Sequence, residues 1–364
     1  MDRRTFLGAG LALSAAPSLA ARRESAAAAL VRRTTVIDGN LVVPLDPDGP
    51  LTGGTAAQIR ASGLSVMKLT LGGSGNQSMK ETLEEIAVTD RAIAASPKLL
   101  MKVRDAADFA RAKASGRLGI ILSFEAGEML EGKVDSIDAF AAKGVRVMGL
   151  SYNLDTPFAS GVMSKAHGGL TPLGREAVAR MNALKVTVDV SHSDEPSSLA
   201  AIAASAKPVL ITHAGCAAVH PHPRNKSDAL LRAMAERGGV IGIYELSYLT
   251  QAPVQPTLAV YMAHLTHALD VCGEDHVGIG SDASLTRFDT SPASMKRWNA
   301  ETARRKATGV AAPGEGPPPF VIGLNRPDRY VVIAEALLKR GYTPRTVEKV
   351  LGGNFARVFA ETWG

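Results

Sequence analysis

Cysteine and long apolar runs are scarce in this chain of 364 residues, and their scarcity excludes several classes of protein. The two cysteines, Cys216 and Cys272, lie in different segments without a Cys-x-x-Cys pair, which argues against a disulfide framework. After the first 20 residues no apolar run reaches the ~20 residues that span a bilayer, so no membrane span is predicted. The net charge is +6, but the lysines and arginines are spread among acids, which argues against nucleic acid as a partner.

The composition is that of a globular protein with a large core, since 46% of the residues are hydrophobic and 21% are charged.

Residues 1–20 differ from the rest. Arg3 and Arg4 precede an apolar stretch over residues 7–16, and Ser18-Leu19-Ala20 has the small-x-small pattern of a cleavage site. This pattern predicts a twin-arginine signal peptide over residues 1–20, a linker over 21–33 and a soluble, periplasmic mature protein that begins near Ala21.

Apolar, β-branched runs alternate with amphipathic stretches through residues 34–364. Unbroken hydrophobic strands separated by helices indicate a parallel sheet that is buried on both faces. Residues 38–41 lack the glycine-rich phosphate loop of an open dinucleotide-binding sheet, and eight such units fit a closed barrel better. We therefore predict a single-domain α/β protein, a (β/α)₈ TIM-type barrel with C-terminal helices. The predicted strands cover residues 35–37, 64–71, 118–124, 145–150, 186–190, 209–212, 240–244 and 277–280, with a peripheral strand over 99–103.

One long segment, residues 283–324, interrupts this alternation. It is rich in proline and glycine and has no apolar period, which predicts a long loop of the kind that forms lids, substrate loops or disordered inserts. The helices predicted before it cover residues 79–95, 172–184, 229–236 and 257–272, and those after it cover 327–340, 343–351 and 354–362.

Four side chains that can bind metal follow four different predicted strands: Glu125, His192, His213 and Asp282. In a barrel the carboxyl ends of the strands converge on one mouth, where such enzymes place their chemistry. Two His and one Glu with an open position form a catalytic zinc arrangement. A single histidine at a strand end is more often structural, so the prediction depends on all four together. They predict a metal ion that activates a water molecule and polarises a carbonyl oxygen.

Several long motifs resemble the renal (membrane) dipeptidase family of zinc peptidases, which have an amidohydrolase-like barrel. These motifs are residues 169–182 with the Val-Asp-Val-Ser-His-Ser that follows, Ile-Thr-His-Ala with Pro-Arg-Asn at 223–225, residues 273–282 and residues 340–359. They occur in the family's order and cover most of residues 34–364. The resemblance implies a barrel with two zinc ions that hydrolyses dipeptides.

The resemblance also implies roles for individual residues. Glu125 matches a glutamate that bridges the two metals, and His192 and His213 match ligands of the second metal. Asp282 matches an aspartate that transfers protons beside the metals. Arg224 matches an arginine that binds the substrate carboxylate, and its neighbour Asn225 is predicted to share in substrate binding.

The chain departs from the family at the first strand. The family's Asp-Gly-His-Asn-Asp reads Asp-Gly-Asn-Leu-Val over residues 38–42, so Asn40 and Val42 replace the two ligands of the first metal, and no histidine precedes His167. We therefore predict about one Zn²⁺ per chain. Changing Asn40 to His and Val42 to Asp is expected to restore the first site, because residues two apart on a strand share a face and Glu125 has a second oxygen free to bridge.

A second departure puts Tyr152 where the family has a histidine that contacts the substrate or its oxyanion. These residues together predict a metal-dependent hydrolase that cleaves dipeptides or similar small amides with a metal-activated water. Asp282 shuttles the proton, Tyr152 binds substrate and donates to the developing oxyanion, and Arg224 anchors a carboxylate.

Two other functions stay open. The chain could be a non-catalytic periplasmic binding protein descended from dipeptidases, because two metal ligands and a substrate histidine are lost together. It could also hydrolyse lactones or esters on the same barrel. A small molecule is the predicted partner in every case, and a homodimer also stays open.

Overall fold

Eight parallel strands close into a barrel in the computed structural model of the protein, which describes residues 24–364. The predicted signal peptide and the mature start near Ala21 lie outside these residues, so they and the predicted export stay predictions. Each strand pairs with its neighbours along the chain, and the last pairs with the first, which confirms the predicted TIM-type barrel. In chain order the strands are β1 Ile37–Asp38, β2 Val66–Leu71, β3 Leu118–Phe124, β4 Val145–Gly149, β5 Thr187–Asp189, β6 Leu210–Cys216, β7 Val240–Ile243 and β8 Val277–Ile279.

Short strands form pairs at three places outside the barrel wall, two of them with a barrel strand and one as a separate two-stranded sheet. Leu100–Lys102 pairs with β3 and confirms the peripheral strand predicted at 99–103. Asn225–Lys226 pairs with the end of β6. At the mouth, Leu41–Val42 pairs with Ala283–Ser284, so the segments that follow β1 and β8 lie side by side.

Helices follow most strands and cover the outside of the barrel. Local signals begin several of them: Ser78 and Glu81 form a capping box before one helix, and Thr171 caps another that has Pro172 in its first turn. In the part of the chain that the structure describes, no helix is long and apolar enough to cross a membrane. The α-helices are Ala26–Arg33, Gly53–Ala61, Met79–Ala95, Ala107–Ser115, Ser136–Ala142, Pro172–Ala183, Glu195–Ala204, Asp228–Glu236, Leu258–Cys272, Pro292–Ala307, Arg329–Lys339, Pro344–Glu348 and Asn354–Trp363.

Two segments that were predicted as irregular contain helices. Residues 283–324 include the helix Pro292–Ala307, in which only Thr302 is buried, so it has no apolar face for a period to reveal. Its alanines, lysines and arginines favour helix by propensity alone. Residues 26–33, in the predicted linker, form a helix whose Leu30 and Val31 are buried and which packs against Arg329–Lys339.

The C-terminal helix Asn354–Trp363 closes the amino-terminal end of the barrel. Phe355 packs with inward-facing side chains of the strands in one buried apolar cluster. Gly39 and Gly278 make room for this ring, because a Cβ at either position would lie 2.5 or 2.6 Å from it. Since this end is filled, the polar site lies at the carboxyl ends of the strands.

Candidate metal centre

The structure brings three of the predicted metal ligands together at the barrel mouth. Glu125 directly follows β3, His192 lies three residues beyond β5, and His213 lies within β6. All three are buried, and their ligand atoms lie within 4.8 Å of one another. His192 Nε2 lies 2.9 Å from His213 Nε2, and the two Glu125 oxygens lie 3.4 and 3.7 Å from these nitrogens. A tetrahedral zinc site separates its ligand atoms by about 3.3 Å, so the spacing suits Zn²⁺.

The other ring nitrogen of His192 is held by Asn153. The Asn153 amide group donates through Nδ2 to the carbonyl of Val310, so its Oδ1 accepts from His192 Nδ1 at 2.9 Å. The hydrogen-bond network thus assigns the proton of His192 to Nδ1 and leaves the lone pair on Nε2. Such partners orient metal-binding histidines, so Asn153 is part of the centre.

His213 is held in the same tautomer by a different chain of bonds. Thr212 Oγ1 donates its single hydrogen to Asp189 Oδ2, so it accepts from His213 Nδ1 at 2.9 Å. The Nε2 atom of His213 therefore also carries a lone pair. The sequence does not reveal Asp189 as a partner of this ring, because the bond passes through Thr212.

The two lone pairs face each other across 2.9 Å beside a carboxylate. Burial, and after it the positive charge of Arg224, lowers the pKa of His192 to about 3. Burial also lowers the pKa of His213 well below its usual value. Neither ring supplies a proton to the other at neutral pH. Arg224 Nη2 lies 3.1 Å from His192 Nε2, and a cation among Glu125, His192 and His213 would relieve the repulsion between the two lone pairs and the carboxylate. These three residues fit a divalent metal.

The residues at the first metal position do not fit a metal. Asn40 Nδ2, a hydrogen-bond donor, points to Glu125 Oε1 at 2.6 Å and to Asp282 Oδ1 at 2.9 Å. The Val42 side chain is 56% exposed, whereas Asn40 is buried. They do not share a strand face, because β1 ends at Asp38 and the backbone bends before Val42. Val42 nevertheless lines the same cavity as His192 and Asp282, so the expectation that His and Asp at these positions would restore the first site stays a prediction.

Glu125 Oε1 is not free for bridging while Asn40 is in place. Its Oε1 accepts from Asn40 Nδ2 and, at 2.8 Å, from Thr70 Oγ1. Burial opposes the ionisation of Glu125, but His213 and His192, and after them the Lys68 ammonium, hold its pKa well below the usual range. Lys68, which the sequence analysis did not single out, lies on the same side, with Nζ 3.9 Å from Oε1.

Asp282 lies at the rim of the same centre. It follows β8, its φ is 50°, and its backbone N–H donates to the carbonyl of Asn40 at 2.7 Å. Burial, and after it the Glu125 carboxylate, raises the pKa of Asp282 to about 7. A carboxyl group with such a pKa can give or take a proton near neutral pH.

Tyr152 stacks on His192, with ring centroids 4.1 Å apart. Its hydroxyl accepts from Arg305 Nη2 at 3.2 Å, which leaves the hydroxyl hydrogen to donate. Arg305 also pairs with Glu315, and both belong to the segment that was predicted as a loop. No signal in the sequence links Arg305 to the site, because its helix has no apolar face.

Arg224 and Asn225 occupy different environments. Arg224 is 1% exposed, donates through Nη1 to the carbonyl of Ser191 and places Nη2 3.1 Å from His192 Nε2. Asn225 does not line the cavity beside the centre, because its amide bonds to the carbonyls of His220 and Tyr248 and to the Tyr244 hydroxyl. Its predicted role in substrate binding is therefore corrected: Asn225 fixes the segment that carries Arg224.

A cavity of about 420 Å³ lies over the centre. Arg224, Asp282 and His192 line its inner end, and the aromatic rings of Tyr248 and Trp298 line its outer walls. The helix Pro292–Ala307 supplies Trp298 and Arg305 and covers one side, so this part of residues 283–324 lies where a lid or substrate loop was predicted. The volume lies within the range of small-molecule sites, roughly 300–1,000 Å³.

Glu128, which lies four residues after the end of β3, makes the free energy of unfolding depend on pH. Burial raises its pKa from 4.5 to about 7. The folded protein therefore keeps a proton on Glu128 that the unfolded chain loses above pH ~4.5, so the free energy of unfolding falls as the pH rises towards 7. Glu128→Gln, which cannot ionise, is expected to raise this free energy at pH 8 by up to about 3 kcal/mol and to change it little at pH 4.

Urea unfolding of Glu128→Gln at these two pH values measures the effect. Glu236→Gln, a change at an exposed glutamate, is the control and should be neutral at both. Equal stabilisation by Glu128→Gln at pH 4 and pH 8 would contradict the account of Glu128.

Known proteins resemble this chain in sequence and in fold. The model of the family described as membrane dipeptidase, peptidase family M19, matches residues 55–306, more than half of the chain. Dipeptidase tcpJ of Claviceps purpurea (strain 20.1) is 28% identical over 287 residues, which are 78% of this chain. They are 60% of that protein, so the chain spans less than two thirds of the length of this relative.

Solved structures agree with the sequence comparisons. The structure of an amidohydrolase from Pseudomonas aeruginosa superposes with a TM-score of 0.78 at 26% identity, covering 93% of this chain and 99% of that one. A probable dipeptidase, PvdM, from Pseudomonas aeruginosa superposes with a TM-score of 0.72 at 22% identity, covering 93% and 97%, which bears on the fold alone. From the family match and the shared barrel, the chain belongs to the membrane dipeptidase family, peptidase family M19.

Proposed function

We propose that this protein is a zinc-dependent hydrolase that cleaves dipeptides or similar small amides with a single metal ion. One observation carries the proposal: two unprotonated histidine nitrogens face each other at 2.9 Å beside the Glu125 carboxylate, in a buried site that opens into a cavity. When bound there, Zn²⁺ would lower the pKa of a water molecule and polarise the amide carbonyl. Nitrogen and carboxylate ligands together favour zinc over magnesium or calcium.

Asp282 and Tyr152 act on the proton and the oxyanion in this proposal. Asp282 lines the cavity and has a pKa of about 7, so it can take a proton from the attacking water and pass it to the leaving amine. Tyr152 is fixed by the His192 ring and by Arg305, and its hydroxyl hydrogen is available to the carbonyl oxygen as negative charge develops.

Arg224 supplies the binding site for a substrate carboxylate. In the described part of the chain its guanidinium uses two of its five N–H donors, one on the carbonyl of Ser191 and one on His192 Nε2. One lone pair cannot serve two partners, so Arg224 Nη2 leaves this nitrogen when His192 acts as a ligand. Its hydrogens then become available to a carboxylate in the cavity, where a planar fork binds bidentately.

The walls of the cavity favour apolar groups next to this carboxylate. Tyr248, Phe288 and Trp298 present rings to the cavity, and Phe288 contacts Trp298 edge to face. Aromatic walls bury the side chain of a substrate well. The preferred substrates are therefore small amides with a free carboxylate and an apolar side chain.

Turnover by the Zn²⁺-loaded protein of a panel of dipeptides, N-acyl amino acids, esters and lactones tests the proposal. Amide cleavage that a chelator abolishes and Zn²⁺ restores is the expected result. Cleavage of the esters or lactones alone would instead show a lactone or ester hydrolase. Dipeptide binding without turnover of any substrate would favour a non-catalytic binding protein.

Arg224→Lys is expected to distinguish substrates by their carboxylate. Lysine keeps the charge but cannot form two parallel hydrogen bonds, so kcat/KM for dipeptides with a free carboxylate should fall about 10- to 100-fold. Cleavage of the same dipeptides with an amidated C-terminus should change little. Steady-state kinetics on matched pairs measures the difference, and equal losses on both kinds would contradict the anchoring role.

A further inference from the structure

Lys68 is a fully buried lysine in the wall of the barrel, beside the metal centre. It lies on β2, where Lys68 and Thr70 are two residues apart and share the face that looks into the barrel. Its Nζ donates to Asn40 Oδ1 at 2.9 Å, to Thr70 Oγ1 at 3.1 Å and to Ser123 Oγ at 3.2 Å. Each of the three ammonium hydrogens therefore has an acceptor, which is the condition for burying a lysine.

This network directs two donors at one oxygen of Glu125. Asn40 turns its Oδ1 to Lys68 and therefore its Nδ2 to Glu125 Oε1. Thr70 accepts from Lys68 and passes its own hydroxyl hydrogen to the same oxygen. Glu125 Oε2 is left to face His192. The carboxylate thus has one oxygen, Oε1, held by two protein donors and one oxygen, Oε2, directed to His192.

We propose that the Lys68 ammonium takes the place and the charge of the family's first metal ion, so that this centre is built for one metal ion. The inference rests on the proposed function only in that Glu125, His192 and His213 hold a metal. A first ion would need Glu125 Oε1, which already accepts two hydrogen bonds. It would also lie a few ångströms from a buried ammonium, and like charges repel strongly at that distance away from water. Asn40 is therefore part of the Lys68 network and not an isolated loss of a ligand.

Restoring the lost ligands with and without Lys68 tests the inference. Asn40→His with Val42→Asp is one variant, and the same pair with Lys68→Met is the other. Each protein is loaded with excess Zn²⁺, desalted and analysed for metal per chain, after circular dichroism has shown that it is folded. The expected number of zinc ions per chain is near one for the double variant and near two for the triple variant. A ratio near two with Lys68 in place, or near one in a folded triple variant, would overturn the inference.

Lys68→Met alone provides a second measurement that does not need the restored ligands. Removing a nearby positive charge should tighten the binding of the single Zn²⁺ at least about tenfold, as measured by competition with a chromophoric chelator. A merely structural lysine predicts the opposite, because its loss would loosen Asn40 and Thr70 and weaken the site. Lys102→Met, at a largely buried lysine paired with Asp90 away from the centre, is the control and should leave the affinity unchanged. Unchanged or weaker binding by folded Lys68→Met would refute the inference.

These readouts are separate from hydrolysis. A protein that holds one ion and cleaves no amide would refute the proposed function and leave the role of Lys68 intact. If the double variant binds two ions and the unchanged protein cleaves amides, the role of Lys68 is refuted and the proposed function stands.

Discussion

Replacing His213 by Ala is expected to abolish metal binding and hydrolysis together. His213 is fully buried, and its Nε2 is one of three ligand atoms, so its loss leaves two ligands and an open site. We expect the Zn²⁺ affinity to fall by at least about 100-fold, since removal of a direct ligand costs more than the 10- to 100-fold seen for groups that merely orient one. Metal analysis after desalting and turnover of a dipeptide measure the two losses.

A matched change separates this effect from a general loss of histidine. His276→Ala alters a histidine that precedes β8, at the opposite end of the barrel, where its ring bonds to the carbonyl of Gly239. That variant should keep its metal and its activity. Because His213→Ala leaves a cavity, its fold is checked by thermal unfolding, and His192→Gln serves as a second ligand variant. Full metal content in both ligand variants would contradict the proposed centre.

Asp282→Asn is expected to lower kcat by about 10²- to 10⁴-fold while leaving the metal in place, since proton transfer by a positioned side chain contributes that much. Asn keeps the oxygen that accepts from Asn40 Nδ2, but it cannot take up a proton. It also tolerates the positive φ of this position, which an alanine would not. Steady-state kinetics and metal analysis of the same preparation measure both quantities.

Asp270→Asn, at an exposed helix position, is the control for this variant. It should behave like the unchanged protein. If Asp282→Asn lost its metal as well as its activity, Asp282 would be part of the metal site and not a proton carrier. Unchanged turnover would remove Asp282 from the mechanism altogether.

The ligand positions could be predicted because they follow from strand order. Glu125, His192 and His213 all follow or end apolar runs, and parallel strands in a barrel bring such ends to one mouth. The C-terminal helices and the peripheral strand at Leu100–Lys102 could be predicted for a similar reason, since each has its own apolar pattern.

The partners of these ligands could not be predicted, because they meet only in three dimensions. A single lysine in the apolar run of β2 carries no sign that it reaches Asn40 after β1 and Ser123 on β3, the two neighbouring strands. Asn153 gives no sequence signal for its bond to His192. Arg305 was hidden because its helix is mostly exposed and has no apolar period.

Carrying residues over from a motif failed where the local backbone decides the outcome. Asn225 follows Arg224 in the sequence, yet it lies on a short strand and its amide group donates hydrogen bonds to the carbonyls of His220 and Tyr248. Val42 follows Asn40 by two residues, but after the bend that ends β1 Asn40 is buried and Val42 is exposed at the cavity. Spacing predicts a shared face only inside a continuous strand.

The metal content of the unchanged protein tests the central claim most directly. After loading with excess Zn²⁺ and removal of unbound metal, the account predicts about one ion per chain, because Glu125, His192 and His213 form one site and Lys68 excludes the other. A ratio near two would contradict the account, since a second ion could bind only if the Lys68 network did not fill its place.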